Sequence, residues 1–308
     1  MYDTLIMSKG GAYMDLALPF LDNIKEHQTE SKYYVNGTIA NGQQIWIFDD
    51  KIQFKGSIAK YHLNDNIQTL DRSTTKRAIE SLSDSLKIDF RTADVTRADV
   101  GLTIDTAFKP EAYYPLMGNS NQYTRSLYKN SLYYRVSNRE KIFYDKVKDA
   151  RAKGMFIPDF IAHKNLTRFE VKYIKKILDQ LNRSELKASD LYDEKFYMMM
   201  LDNWFMEYQN IKKLSCMQID KNTIDKPSDL AYQMLANILN ASGMDIVSGI
   251  DEQMKQAKAI NVFEGAKNPS RDYGRAKGHI YKLLQSARDS DLINELDKKF
   301  KDSISFYR

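Results

Sequence analysis

At 308 residues the chain exceeds the usual size of one domain, so two domains, or one with a helical extension, are expected. With 43% hydrophobic and 28% charged residues, no apolar run near the roughly 20 residues that cross a bilayer and no secretory leader pattern, it reads as a globular, cytoplasmic protein without membrane attachment. One cysteine, Cys216, and four scattered histidines exclude a cysteine-histidine zinc site, so any metal would be held mainly by oxygen; a net charge of +5 is compatible with a polyanionic partner.

Tyr2, Leu5 and Met7 can begin a strand. A meander of three strands follows: Tyr33 to Ile39, a turn at Asn41 and Gly42, Gln44 to Phe48, a second turn at Asp49 and Asp50, and Lys51 to Tyr61. Within it Gly56 permits a bulge or a close approach, or is an ordinary strand glycine. Thr69 or Asp71 caps a helix whose apolar stripe is Ile79, Leu82 and Leu86. A strand over Val95 to Ile104, a short helix or ordered loop near Pro110 to Met117, and a turn through Asn119 to Asn121 come next.

Ser131 to Tyr134 and Lys141 to Lys146 form a hairpin bridged by Ser137 and Asn138. Residues 149 to 165, with Gly154 and Pro158, read as a mobile connection, and Leu166 to Lys172 as the last strand before a helix carrying Ile174, Ile177, Leu178 and Leu181. From Leu186 onward helical spacing dominates: Phe196 to Tyr208, Leu230 to Leu239, Ile280 to Leu284 and Leu292 to Phe300. The natural division is 1–181 and 182–308, the second part either folding alone or packing on the first.

Period-two alternation puts Ile142, Tyr144 and Lys146 on one strand face, with Lys148 one step beyond, and does the same for Arg97 with Asp99 and Arg168 with Glu170. The other face would carry Val100, Leu102, Phe143 and Phe169 as an ordinary core. The polar face suits chemistry on a phosphodiester: a phenol to attack, carboxylates to hold Mg2+ or Mn2+, and a lysine for acid, base or electrostatic work. The same residues equally suit salt bridges on a solvated face, a strand tyrosine is usually structural, and His62 reads first as a surface histidine and only second as a metal ligand. Tyr128, Tyr133 and Tyr134 are the rivals of Tyr144. Arg271, Arg275 and Lys277, interleaved with Tyr273 and Tyr281, fit either a phosphate-binding helix or a solvated one.

The blocks GSIAKYHLNDN at Gly56 to Asn66, VTRADVGLTI at Val95 to Ile104, TRS at Thr124 to Ser126, IFYDKVKD at Ile142 to Asp149 and LTRFEVK at Leu166 to Lys172 resemble, in this order, the filamentous-phage gene II replication initiators and the related plasmid rolling-circle proteins. The resemblance implies an α+β, relaxase-like antiparallel sheet with helices on one face, followed by a helical C-terminal region. It implies a metal-dependent, site-specific nick at a phage or plasmid origin, with a 5'-phosphotyrosyl link at Tyr144 that is later rejoined. Lys146 matches the lysine beside the tyrosine, and Asp99 and Glu170 match acids that point toward Mg2+ or Mn2+, with Asp65 and His62 competing as third ligand because no histidine-hydrophobe-histidine triplet is present. Lys60, Asn66, Arg97, Lys148 and Arg168, with Arg271, Arg275 and Lys277, would meet DNA. The implied partners are double- and single-stranded origin DNA, host helicase and DNA polymerase, and a homodimer is permitted. The alternative is a non-catalytic origin-binding initiator whose polar face holds no metal.

Overall fold

Alternating burial along short strands builds one antiparallel sheet of ten strands, in the computed structural model that describes residues 1–29, 33–213, 228, 246–285 and 291–307. Its strands in chain order are β1 (Tyr2–Gly10), β2 (Asp22–Gln28), β3 (Tyr33–Ile39), β4 (Gln43–Phe48), β5 (Lys51–Ser57), β6 (Asp94–Asp105), then β8 (Thr124–Tyr128), β9 (Ser131–Arg135), β10 (Arg139–Asp145) and β11 (Leu166–Tyr173). Between β6 and β8, β7 (Met117–Ser120) leaves the sheet to pair with β12 (Ile211–Lys213). Across the sheet the order is β2-β3-β4-β5-β1-β6-β11-β10-β9-β8. The β6, β11 and β10 segments that carry Asp99, Glu170 and Tyr144 are therefore neighbours.

One face of this sheet is apolar and covered by helices. Ile45, Ile47, Ile52, Phe54, Val100, Leu102, Phe143 and Phe169 are buried there, with Ile79, Leu82 and Leu86 from the Arg72–Leu86 helix. Asp71 caps that helix, its Oδ1 accepting from the Thr74 amide at 2.7 Å. The Glu194–Gln209 helix crosses the sheet, and the Trp204 indole donates to the Phe169 carbonyl at 3.1 Å. Phe300, from the Asp291–Tyr307 helix, packs edge-on at 5.2 Å from Trp204. Two helices from beyond residue 182 thus share the sheet's own core.

Several local expectations are corrected. The strand after Asp50 ends at Ser57, which caps a helix over Ile58–Leu63 by accepting from the Lys60 amide, instead of continuing to Tyr61. Strand β10 ends at Asp145, which caps the Lys146–Ala152 helix, so Lys146 and Lys148 are helical and do not extend the tyrosine's strand. That helix and a turn of helix at Asp159–Ala162 occupy much of the expected loop. Strand β2 and the β7 strand at Met117–Ser120 also lie where no strand was expected. Gly56 is a close-approach glycine: the Gln43 side chain occupies the space of its missing Cβ and accepts from the Ser57 amide at 2.7 Å. The stretch Leu230 to Leu239 and the side chains of His279 and Lys282 to Leu284 lie outside the described residues.

Candidate active site

The polar face of β6, β11 and β10 opens into a cavity of about 620 Å³ lined by Asp3, Asn66, Arg97, Asp99, Tyr144, Lys148, Glu170 and Lys172, among others. In register Tyr144 opposes Arg168 and Ile142 opposes Glu170, so Tyr144 and Glu170 are diagonal neighbours on one face. The Tyr144 hydroxyl donates to Glu170 Oε1 at 2.9 Å. Arg168 Nε donates to the same oxygen at 2.8 Å. Burial, then the Glu170 charge, push the Tyr144 phenol well above its ordinary pKa, so it stays protonated until a base takes its proton.

Beneath the phenol lies a buried network. Arg168, expected to meet DNA, is fully buried; its guanidinium also reaches the Asn66 carbonyl at 2.9 Å and Asp3 at 3.2 Å. Lys146, likewise buried, donates to Asn66 Oδ1 at 2.8 Å and lies 5.7 Å from the Tyr144 ring centroid. Asn66 in turn donates to Asp3, which also accepts from the Ser57 hydroxyl. Burial would raise Asp3, but Arg168 and Lys146, with the Ser57 and Asn66 bonds, outweigh it and hold the carboxyl at about 2. Burial and the Arg168 charge lower Lys146 to about 8 against the pull of Asp3, Glu170 and Asp149.

Asp99 is almost fully buried and held by Arg97, which donates from Nε at 2.9 Å and from Nη2 at 2.8 Å. Burial raises it to about 6, with Glu170 adding to the rise and Arg97 opposing it. Gly101 makes room for this arrangement: a Cβ there would stand 2.5 Å from Glu170 Cγ and 3.1 Å from Arg168 Nε.

Tyr144, Asp99, Glu170, Arg97, Asn66 and Lys148 come together at the cavity, with Lys146 and Arg168 behind them. His62 and Asp65 do not line it: burial and Arg77 lower His62, and Asp65 accepts from the Ile67 amide at 2.8 Å in a local turn. Lys60 is also off the cavity, in the Ile58–Leu63 helix. Arg271, Arg275 and Lys277 sit on the Pro269–Gln285 helix, where the two arginines lie 3.8 Å from Asp272 and Lys277 pairs with Asp251. Of the rival tyrosines, Tyr134 donates to the Met117 and Gly118 carbonyls and is buried, while Tyr128 and Tyr133 line the rim of the cavity.

Asp3 and Lys172 went unread in the sequence. The Asp3 strand shifts register against β6 between Tyr2 and Leu5, and that irregularity breaks the alternation that would have placed an acid on the polar face. Lys172 follows Glu170 at period two, and that spacing was the signal available for it; it donates to Glu140 at 2.9 Å.

A family model for the N-terminal part of the gene II replication-associated protein of filamentous phages matches residues 21–207. The chain belongs to this family. Gene II-type proteins are rolling-circle replication initiators that act on origin DNA and, in general, nick and close strands. The match spans β2 through most of the Glu194–Gln209 helix and includes Asp99, Tyr144, Lys146 and Glu170. A search of curated proteins found no match. Among the described residues, no helix is long and apolar enough to cross a membrane.

Proposed function

We propose that this gene II-family protein nicks one strand of its phage or plasmid origin by attack of the Tyr144 oxygen on a phosphodiester, and later rejoins the strand. The observation that carries the proposal is the 2.9 Å hydrogen bond from the Tyr144 hydroxyl to Glu170 on a solvent-reachable sheet face. Glu170 accepts the phenol proton as the Tyr144 oxygen bonds to phosphorus, and the bond to the 3' oxygen breaks. Lys146, buried behind Asn66 and still largely cationic at neutral pH with a pKa of about 8, supplies positive charge that favours the departing 3' oxygen, which takes its proton from solvent. The product is a 5'-phosphotyrosyl link and a free 3' hydroxyl. Because the phosphodiester energy is retained in that link, the reverse attack closes the strand without ATP. Host DNA polymerase extends the 3' end and host helicase opens the duplex ahead of it, with the displaced strand passing over the protein.

Among the described residues no three His, Cys, Asp or Glu side chains gather as a metal-ligand group. The donor set nonetheless fits Mg2+ or Mn2+, because such ions take one or two carboxylates and complete their shell with water and substrate phosphate oxygens. Asp99 and Glu170 would hold the ion: they share the cavity, and the Glu170 charge helps push Asp99 upward, a repulsion a divalent cation relieves. Asp3, tied to Arg168, Asn66 and Ser57, sits beneath them as a positioning group. When bound, the ion neutralises charge on the non-bridging phosphate oxygens.

The test incubates the full chain with supercoiled circular DNA carrying the origin of the replicon that encodes it, in Mg2+ or Mn2+. Nicked circles with protein attached through Tyr144 are expected, identified by mass spectrometry of the nuclease-trimmed adduct. Tyr144→Phe should form none; equal adduct from that variant would show that another residue is the nucleophile.

A further inference from the structure

The cavity occupies only part of the polar sheet face. On the other side of β6 the same face continues over β1, β5, β4, β3 and β2, and beyond Asp3 and Ser57, at one end of β1 and β5, no feature of the nicking chemistry uses it. Register shows the continuity: Arg97 on β6, which lines the cavity, opposes Ile6 on β1, Ile6 opposes Lys55 on β5, and Lys55 opposes Gln44 on β4. Directly opposed residues share a face. Two positions along β4 from Gln44, on that face, stands Trp46, and then Phe48.

These rings belong to a ladder. His27 stacks on Tyr34 with centroids 4.7 Å apart and planes 13° from parallel, and Tyr34 lies 5.6 Å from both Trp46 and Phe48. All four side chains are only partly buried, and none belongs to the hydrophobic core on the far side. Lys51 sits 5.1 Å over the Phe48 ring, and Lys25 and Lys55 are exposed on the same face. Aromatic rings flanked by cations match what single-stranded nucleic acid requires, stacking for the bases and positive charge for the backbone, and the amides beside them are engaged within the protein, Asn36 with His27, Gln44 with Trp46 and Gln53 with Ser8. A duplex hides its base faces and would gain little from such rings.

We infer that the Tyr34–Trp46 ladder is a stacking platform for the single-stranded DNA flanking the nick. Five strand spacings separate β4 from β10, so the platform lies about 24 Å from the tyrosine strand. At about 3.4 Å per stacked nucleotide, a segment of roughly seven nucleotides, or fewer if extended, bridges the two. The platform would hold the displaced strand near the 5'-linked end and keep it available for rejoining. Its role in the reaction rests on the nicking proposal, but its binding of single strands does not.

The chain itself supplies the probe, since its two tryptophans are Trp46, on the platform, and Trp204, fully buried under the sheet. The full chain is titrated with a 20-nucleotide oligothymidylate without divalent cation, so that no cleavage intervenes, and tryptophan emission is read beside the anisotropy of a fluorescein-labelled copy. Quenching that saturates with the anisotropy is expected, and a duplex of equal length should quench far less. Trp46→Ala and Tyr34→Ala should each weaken binding about ten- to a hundredfold, whereas Trp46→Phe, which keeps a ring and controls for folding, should stay within a few fold. Lys25→Ala with Lys55→Ala should shallow the salt dependence. Unchanged emission while anisotropy reports binding, wild-type affinity in the alanine variants, or equal quenching by duplex would each overturn the platform. Adduct formation at Tyr144 alongside any of those results would leave the nicking proposal standing alone.

Discussion

Tyr144 and Glu170 meet diagonally across β10 and β11, hydroxyl to carboxylate at 2.9 Å, with Arg168 bonded to the same carboxylate oxygen. The acid thereby orients the phenol, and the guanidinium holds the acid. A side chain this short of exposure has few other partners available, so the pair fixes the direction from which a phosphate must approach.

Glu170→Gln keeps the size and an acceptor for the phenol but removes the base. Adduct formation at neutral pH should fall about 10²- to 10⁴-fold, the usual worth of a positioned proton acceptor. Single-turnover cleavage of an origin oligonucleotide, compared with its binding affinity, checks this: a loss in affinity with an unchanged rate would assign Glu170 to binding alone.

Lys146 carries a pH signature. Its pKa is depressed to about 8, so the cation is present below that value and is lost as pH rises through it. Cleavage should decline along an alkaline limb near pH 8. Lys146→Arg cannot deprotonate in that range and should move the limb upward even if its peak rate is lower. A limb in the variant at the wild-type position would tie the titration to another group.

Asp99 should trade stability for function. Its folded pKa of about 6 lies above the ordinary 3.8, so the native state binds the extra proton and stability falls as pH rises from about 4 to about 6. Asp99→Asn removes that slope and should gain about 1–3 kcal/mol at pH 7, the lower end applying if Arg97 loses much by it. Urea unfolding of both proteins across that pH window measures the difference, and binding of Mn2+ by calorimetry should weaken in the same variant.

Gly101→Ala tests how tightly the acid is held. The added methyl would press on Glu170 Cγ and Arg168 Nε, costing about 1–3 kcal/mol of stability by overpacking. Cleavage should drop much more than stability predicts, because the displaced carboxylate loses its line to the phenol. Equal, modest losses in both would show that the site tolerates the shift.

Period two in RAD, IFYD and RFE is enough to place Asp99, Tyr144 and Glu170 on one polar face, and the Arg72–Leu86 helix is legible from its cap and its Ile79, Leu82 and Leu86 stripe. The strand ends are not. Ser57 and Asp145 stop their strands by capping helices, and an N-cap competes with strand continuation through a single side-chain bond that alternation does not reveal.

Residue types and spacing by themselves determined the hairpin meander, the apolar face and which residues had a claim to chemistry, and the resemblance of the blocks in order added the antiparallel class of the whole sheet. Tertiary structure alone decided how those claims were shared out. It brought Asp3 from the first strand under a site built by the sixth, tenth and eleventh, and turned Arg168 from a surface cation into a buried one. It also aligned Trp46 with that site across four intervening strands. The physical reason is that strand order and register are fixed by burying one common face, and distances between segments far apart in the chain exist only once that burial has taken place.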